Sequence, residues 1–268
     1  MLKKLIAAVI ILTGALLCSC APNSTSSMKI IAPRIGKADC FVILHQGKCM
    51  LIDTGESDDY NEISSILLSE GVTHIDVMLI THFDKDHVGS AADLLNKYGA
   101  GKIYVNDRKK NSEEYQAFAE ASGSMDKTVV TEDTEFDFGD IRVQIFAPDA
   151  EKYSEDDQNN ASLVTRLTML GRSYLFTGDV LDERIASLLA EDKIAVSDFL
   201  KIPHHGSWSE EVSRLIDAAS PRVALVTCSQ KNPPDQELLD RLKEMGIKTL
   251  VTSDGNVILT QNGKDLMY

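Results

Sequence analysis

The chain has 268 residues, 43% hydrophobic and 25% charged, which is enough apolar mass for one large core or two small ones and too much for a disordered chain. Its formal net charge is −14. An acidic body of this kind repels polyanions at long range, although salt screens the repulsion beyond about 8 Å, so the balance argues against a dedicated duplex-DNA binder and leaves room only for a local basic groove.

In chain order, Lys3 and Lys4 precede an apolar run, Leu5 to Leu17, which is short for a transmembrane helix and fits a secretory signal peptide. The run ends Leu17-Cys18-Ser19-Cys20, resembling a bacterial lipobox with Cys20 as the lipidated residue; an uncleaved N-terminal anchor is the alternative. Residues 1–20 are therefore expected to be a lipoprotein signal peptide and lipobox. Residues 21–27, polar and rich in Ser and Thr, are expected to be a tether, and 28–268 the folded domain. A lipid anchor of this type places the chain outside the cytoplasm, on the outer face of the bacterial membrane, and membrane attachment is expected through that anchor alone. Loss of Lys3 and Lys4 on cleavage takes the formal charge from −14 to −16. The remaining Cys40, Cys49 and Cys228 form no CxxC pair, so a zinc–thiolate site is not expected; Cys40 and Cys49 fall on neighbouring strands and read as buried thiols rather than a bridge.

Strands are expected over Lys29–Ile35, Ala38–Leu44 and Cys49–Asp53, the last two joined by a turn at His45-Gln46-Gly47-Lys48. Ile63, Ile66 and Leu67 are spaced for a helix over Asp59–Glu70, which Gly71 ends. A buried strand follows over Asp76–Ile80, then a charged stretch, a helix over Ser90–Tyr98, a strand at Lys102–Val105 and a helix over Ser112–Ala121. The second half repeats the plan. Strands are expected at Thr128–Thr131, Glu135–Phe138, Ile141–Phe146, Ser162–Leu170, Ser173–Phe176, Phe199–Ile202 and Arg222–Thr227, and at Thr249–Val251 and Asn256–Leu259. Helices are expected at Asp182–Ala190, Ser209–Ala218 and Asp235–Met245. Two halves that each run from meandering strands into strand–helix units predict an α/β (α+β) fold with two packed sheets and helices outside, a four-layer αββα sandwich.

The polar clusters all fall at strand exits, where loops from parallel strands can share one edge. Thr81 to Ser90 reads THFDKDHVGS. His82, Asp84, Asp86 and His87 there stand at i, i+2, i+4 and i+5, a spacing that can aim imidazoles and carboxylates at one point, and both groups bind borderline and hard divalent metals. As a bland alternative the stretch is a solvated helix cap. Asp179, in Phe176-Thr177-Gly178-Asp179, and His204-His205-Gly206-Ser207 are two further elements, each weak alone. Four of the chain's six histidines lie in these clusters, and His45 and His74 are expected at the surface.

Together these elements resemble the metallo-β-lactamase fold family over nearly all of residues 28–268. The motif reads His82-x-Asp84-x-Asp86-His87, with Asp84 where the family carries its second histidine. With Leu51-Ile52-Asp53-Thr54-Gly55, Asn160-Ala161-Ser162 and Lys201-Ile202-Pro203-His204-His205-Gly206-Ser207, it is similar to the soluble hydrolase domain of ComEC-type competence proteins.

The resemblance implies a binuclear centre of two divalent ions, zinc or manganese, the oxygen-rich set shifting preference toward manganese. It assigns His82 and Asp84 to one ion, Asp86 and His87 to the other, and Asp179 as the bridge. His205 is favoured over His204 as the late ligand, which leaves His204 to touch substrate or act as a general acid. Asn160 stands where the family commonly has a histidine and is expected as a weak metal or substrate contact. Ser207 is expected at the substrate. Asp53 is either a buried acid that orients the ligand loop or a turn-initiating residue. The expected activity is metal-dependent hydrolysis by a metal-bridging hydroxide, with Asp86 and Asp179 accepting the proton, and the expected substrate is a phosphodiester: a nucleotide, single-stranded nucleic acid or cell-wall polymer. An amide or lactone hydrolase and a non-catalytic metal-binding lipoprotein are the alternatives. Trp208 either edges the pocket or belongs to the core, and no protein partner is readable.

Overall fold

The structure is a computed structural model that describes residues 26–149, 152–154 and 156–268. The signal peptide and most of the tether expected from the sequence lie outside the described residues. The first half runs β1 (Ser27–Ala32), β2 (Cys40–His45), β3 (Lys48–Thr54), α1 (Tyr60–Ser69), β4 (Ile75–Ile80), α2 (Lys85–Val88), α3 (Ala91–Tyr98), β5 (Ala100–Val105), α4 (Glu113–Ala121) and β6 (Lys127–Val129). The second half runs β7 (Thr134–Phe138), β8 (Ile141–Phe146), β9 (Val164–Met169), β10 (Arg172–Phe176), α5 (Asp182–Ala190), β11 (Phe199–Lys201), α6 (Glu210–Ala219), β12 (Val223–Val226), α7 (Gln236–Glu244), β13 (Lys248–Val251), β14 (Val257–Asn262) and β15 (Asp265–Met267).

Among the described residues one sheet has eight strands in the order β15-β14-β1-β2-β3-β4-β5-β6, and the other seven in the order β13-β12-β11-β10-β9-β8-β7. Strand alternation explains why both faces of each sheet are covered. Phe41, Ile43, Met50 and Ile52 point between the sheets, where they meet Val143, Leu167, Phe176 and Leu225. Their neighbours Val42 and Leu51 point the other way, onto Ile63 and Leu67 of α1 and Leu94 of α3. Leu175 and Leu200 of the second sheet likewise meet Leu188 of α5 and Ile216 of α6. The layers are therefore helix, sheet, sheet, helix, as expected. Phe41 and Phe176 meet edge to face across the two sheets, with ring centroids 5.0 Å apart.

The turn between β2 and β3 puts Gln46 and Gly47 at φ 50° and 76°, the left-handed pair that a two-residue hairpin needs. Several local expectations change. Ser27, assigned to the tether, opens β1 and pairs with Asn262. His45 is buried rather than at the surface. The stretch 85–88 forms a short helix that its charge concealed, and β15 was not foreseen. Cys40, Cys49 and Cys228 are free and buried.

The topology also fixes where the polar exits lie. β3 and β4 are parallel neighbours, and β10, β11 and β12 form a parallel run in the other sheet. Their carboxyl ends carry Asp53, Thr81-His82, Thr177-Gly178-Asp179, Pro203-His204-His205 and Thr227. Backbone bonds tie these ends across the sheets, among them Leu163 N–H to the Thr81 carbonyl at 3.0 Å.

Candidate metal centre

Each ligand-type side chain leaves its strand at a place where the backbone is constrained. Asp53, next to last in β3, lies in the left-handed region at φ 57°, and His204 and His205 follow β11 at φ 45° and 54°. Three non-glycine residues held there indicate strain that the surrounding contacts maintain, a pattern found at functional sites.

Asp86, His87, Asp179 and His205 come together with their ligand atoms within 4.8 Å of one another. The His205 Nε2 lies 3.0 Å from an Asp179 oxygen and 3.4 Å from Asp86, and the His87 Nε2 lies 3.3 Å from Asp179. His82 stands beside them, its ring centroid 4.0 Å from that of His87. The Nε2 atoms of His82, His87 and His205 are all buried without a hydrogen-bond partner. Leaving one buried polar nitrogen unmet costs about 1–3 kcal/mol, so three sharing one space with carboxylates describe a place for a cation. Nitrogen and oxygen donors in this mixture suit a divalent transition metal.

The other side of each imidazole is held. His87 Nδ1 faces Asp53 at 2.8 Å, and Asp53 also accepts the Thr81 backbone N–H at 2.7 Å and the Thr81 hydroxyl at 2.8 Å. Asp53 thus ties the His87 ring to Thr81 at the exit of β4. His205 Nδ1 faces the Thr227 hydroxyl at 3.1 Å, which itself donates to Asp39 at 2.6 Å. These outer partners set the tautomer and aim of a metal-binding imidazole.

Asp39, Thr227 and Lys201 are the residues that sequence reasoning missed. Lys201 is fully buried, with its Nζ 2.6 Å from Asp39, 3.1 Å from Asp179 and 2.7 Å from the Gly178 carbonyl. Its signal was present: a single charge inside the apolar strand Phe199-Leu200-Lys201-Ile202 has to be paired. Asp39 had no such mark. Asp39, Asp53 and His87 also lie close together, but Lys201 already supplies the positive charge there.

The charges act on one another strongly. Burial alone would drive the Lys201 ammonium toward neutrality, but Asp39 and Asp179 outweigh it and hold its pKa above the ordinary value. Burial would raise the Asp179 carboxyl, yet Lys201 and the two imidazoles pull it well below the usual range. Asp86 is likewise pulled down against burial by His205 and His87. Burial lowers the pKa of His204.

Asp84 and Asn160 already have partners of their own. Asp84 stands at the N-cap position of α2 without a side-chain capping bond and is ion-paired with Lys110, with its nearer oxygen to His82 3.8 Å from that ring's Nε2. Asn160 spends its amide on structure: its oxygen accepts the backbone N–H groups of Leu181 and Arg184 at 3.1 and 3.3 Å, capping α5, and its nitrogen donates to Asp157 at 2.8 Å. His204 and Ser207 line a cavity beside the cluster rather than the cluster itself.

Comparison with known proteins agrees with this geometry. The model of the metallo-beta-lactamase superfamily matches residues 34–229. ComE operon protein 3 of Bacillus subtilis is 24% identical over 93% of this chain and 36% of its own length. Recombination protein 2 of Haemophilus influenzae is 26% identical over 78% of this chain and 25% of its own length, so this chain spans only about a third or less of these relatives. The solved structure of CmlA, a diiron beta-hydroxylase from Streptomyces venezuelae, superposes with a TM-score of 0.58 at 14% identity, over 89% of this chain and 54% of that one, a likeness of fold. The similarity to competence proteins expected from the motifs is thus present in the sequence relatives. With its αββα layers and a His–Asp cluster at the strand exits, the chain belongs to the metallo-β-lactamase superfamily, a fold of metal-dependent hydrolases.

Proposed function

We propose that this protein is a phosphodiesterase that holds two divalent ions and works outside the cytoplasm, tethered through Cys20. The observation that carries the reading is the convergence of three buried, unpartnered imidazole nitrogens with the carboxylates of Asp86 and Asp179. Asp86, His87, Asp179 and His205 would hold one ion, and His82 with Asp84 the other once Asp84 exchanges Lys110 for the cation. When bound, such ions polarise a phosphoryl centre and make water acidic enough to attack near neutral pH.

The chain's own residues do the rest. Lys201 fixes one oxygen of Asp179 and leaves the other for the cluster. Asp86 is partly exposed at the edge of the cluster, where we assign it to take a proton from attacking water. His204, at the cavity wall, contacts the substrate. An oxygen-rich donor set supports phosphate chemistry over β-lactam hydrolysis, which favours nitrogen-rich zinc sites.

The test is a pair of chromogenic assays on protein loaded with manganese or zinc. Hydrolysis of bis(p-nitrophenyl) phosphate without turnover of nitrocefin is expected. Nitrocefin turnover alone would move the reading to amide chemistry, and metal binding with neither activity would make the protein a non-catalytic metal-binding lipoprotein.

A further inference from the structure

Beside the cluster lies a cavity of 420 Å³, within the range of small-molecule sites. Its walls come from the segments that carry the ligands. Val180 and Leu181 directly follow Asp179, and Trp208 stands three residues after His205. Asn160 and His204 line the side toward the cluster, where the His204 ring centroid is 6.1 Å from that of His205. Val180 and Val212 are buried in the core behind α5 and α6, and Trp208 packs against the same core while remaining partly exposed. The main chain that carries the indole is anchored, since the Trp208 backbone N–H donates to Asp235 at 2.8 Å.

Charge decides what part of a substrate such a cavity accepts. Asp182 and Glu183, both exposed, stand on its rim, and no lysine or arginine is among its lining residues. A phosphate would be repelled there. An uncharged flat ring would instead meet the indole on one side and Val180, Leu181 and Val212 on the others, with the His204 edge available for a hydrogen bond.

The geometry points to a second subsite: the Trp208 cavity binds a neutral planar ring, of the nucleobase kind, carried by the phosphodiester whose scissile group sits at the neighbouring cluster. This assignment rests on the phosphodiesterase reading for the word substrate, but the ring-binding cavity itself does not depend on metal or on turnover. Stacking on an aromatic side chain discriminates ring-bearing from ring-free ligands by roughly 5- to 150-fold.

Trp208 is the only tryptophan in the sequence, so intrinsic fluorescence reports this cavity directly. Titration of the full chain with adenosine, which has no phosphate, is expected to quench that emission saturably with or without manganese, whereas methyl β-glucoside leaves it unchanged. Absence of adenosine quenching, or equal quenching by the glucoside, overturns the assignment. The second arm compares thymidine 5′-(p-nitrophenyl phosphate) with methyl p-nitrophenyl phosphate. In Trp208→Leu the preference for the thymidine ester, as a ratio of kcat/KM, should fall about tenfold. The methyl ester should change by no more than about twofold, and Trp208→Phe should recover most of the preference. An unchanged ratio in a folded Trp208→Leu variant also overturns it. If neither ester is hydrolysed, the phosphodiesterase reading fails and the fluorescence arm alone decides the cavity.

Discussion

His45 and His87 are both completely buried, and each faces an aspartate through the imidazole edge. They differ in the other nitrogen. His45, at the hairpin end of β2, has Nδ1 against the Ser27 carbonyl at 2.7 Å and Nε2 against Asp140, so both nitrogens are met. His87 has Nδ1 against Asp53, and its Nε2 has no hydrogen-bond partner. The first is a complete structural unit that pins the start of β1 to the β7–β8 turn. The second is half of a unit, open toward Asp179 and the other imidazoles. Burial of a histidine says little by itself; an unmet nitrogen facing other ligand atoms is what separates a binding site from a staple.

The largest break of that contrast should come at Asp179. Asp179→Ala removes the carboxylate shared by His87 and His205, and hydrolysis should fall about a thousandfold or more, several kcal/mol of lost stabilisation. The fold should persist, because Lys201 keeps Asp39 and the Gly178 carbonyl. Activity assay and thermal melting check the two halves: wild-type turnover, or unfolding with the metal still bound, would remove Asp179 from the site.

Lys201→Met should show that the site is also a stability problem. It leaves Asp39 and Asp179 buried beside each other's field without their cation, and breaking a buried pair in this way costs about 3–5 kcal/mol. The loss should be greatest in chelator-treated protein and should shrink when manganese is added, since a divalent ion restores positive charge nearby. Equal losses with and without metal, measured by urea denaturation, would mean that Lys201 serves packing and not the charge of the cluster.

Asp53→Asn sharpens the comparison with least disturbance. Asparagine tolerates the left-handed backbone at this position and keeps the shape of the side chain. It removes the anion that orients His87, so metal affinity should fall about 10- to 100-fold in a competition assay with a chromogenic chelator, with little change in the melting midpoint. Unaltered affinity would return Asp53 to the role of a turn residue.

The reasons why parts of this site were legible in the sequence and others were not are physical. Strand exits were readable because apolar runs end sharply at Asp53, His82, Asp179 and His204, and parallel pairing then brings those ends to one edge. The layer order followed from two halves that each run from meandering strands into strand–helix units. What escaped was anything decided by a partner far away in the chain. Asp39 meets Thr227 across 188 positions, and nothing local marks either residue. His45 looked like a turn residue because its partner Asp140 is 95 positions away. Around Asp84, local spacing held no sign that Lys110 would reach it. Asn160 was read through the family's histidine, and nothing local showed that its amide would reach the backbone at the start of α5.

The smallest effect on function should come from His45, and its direction is what tests the opening contrast. His45→Ala deletes hydrogen bonds to the Ser27 carbonyl and to Asp140 and leaves a small cavity at the β2–β3 hairpin, so the stability loss should be about 1–3 kcal/mol. Gln46 still donates to Asp140 at 3.2 Å, so the turn keeps one tie. Metal content and kcat should match the wild type at temperatures where the variant is folded, because β3 separates this hairpin from the cluster by its whole length. A drop in metal affinity comparable to that of Asp53→Asn, measured with the same chelator, would show that the two buried histidines are coupled through the sheet and that a fully met histidine can still serve the site.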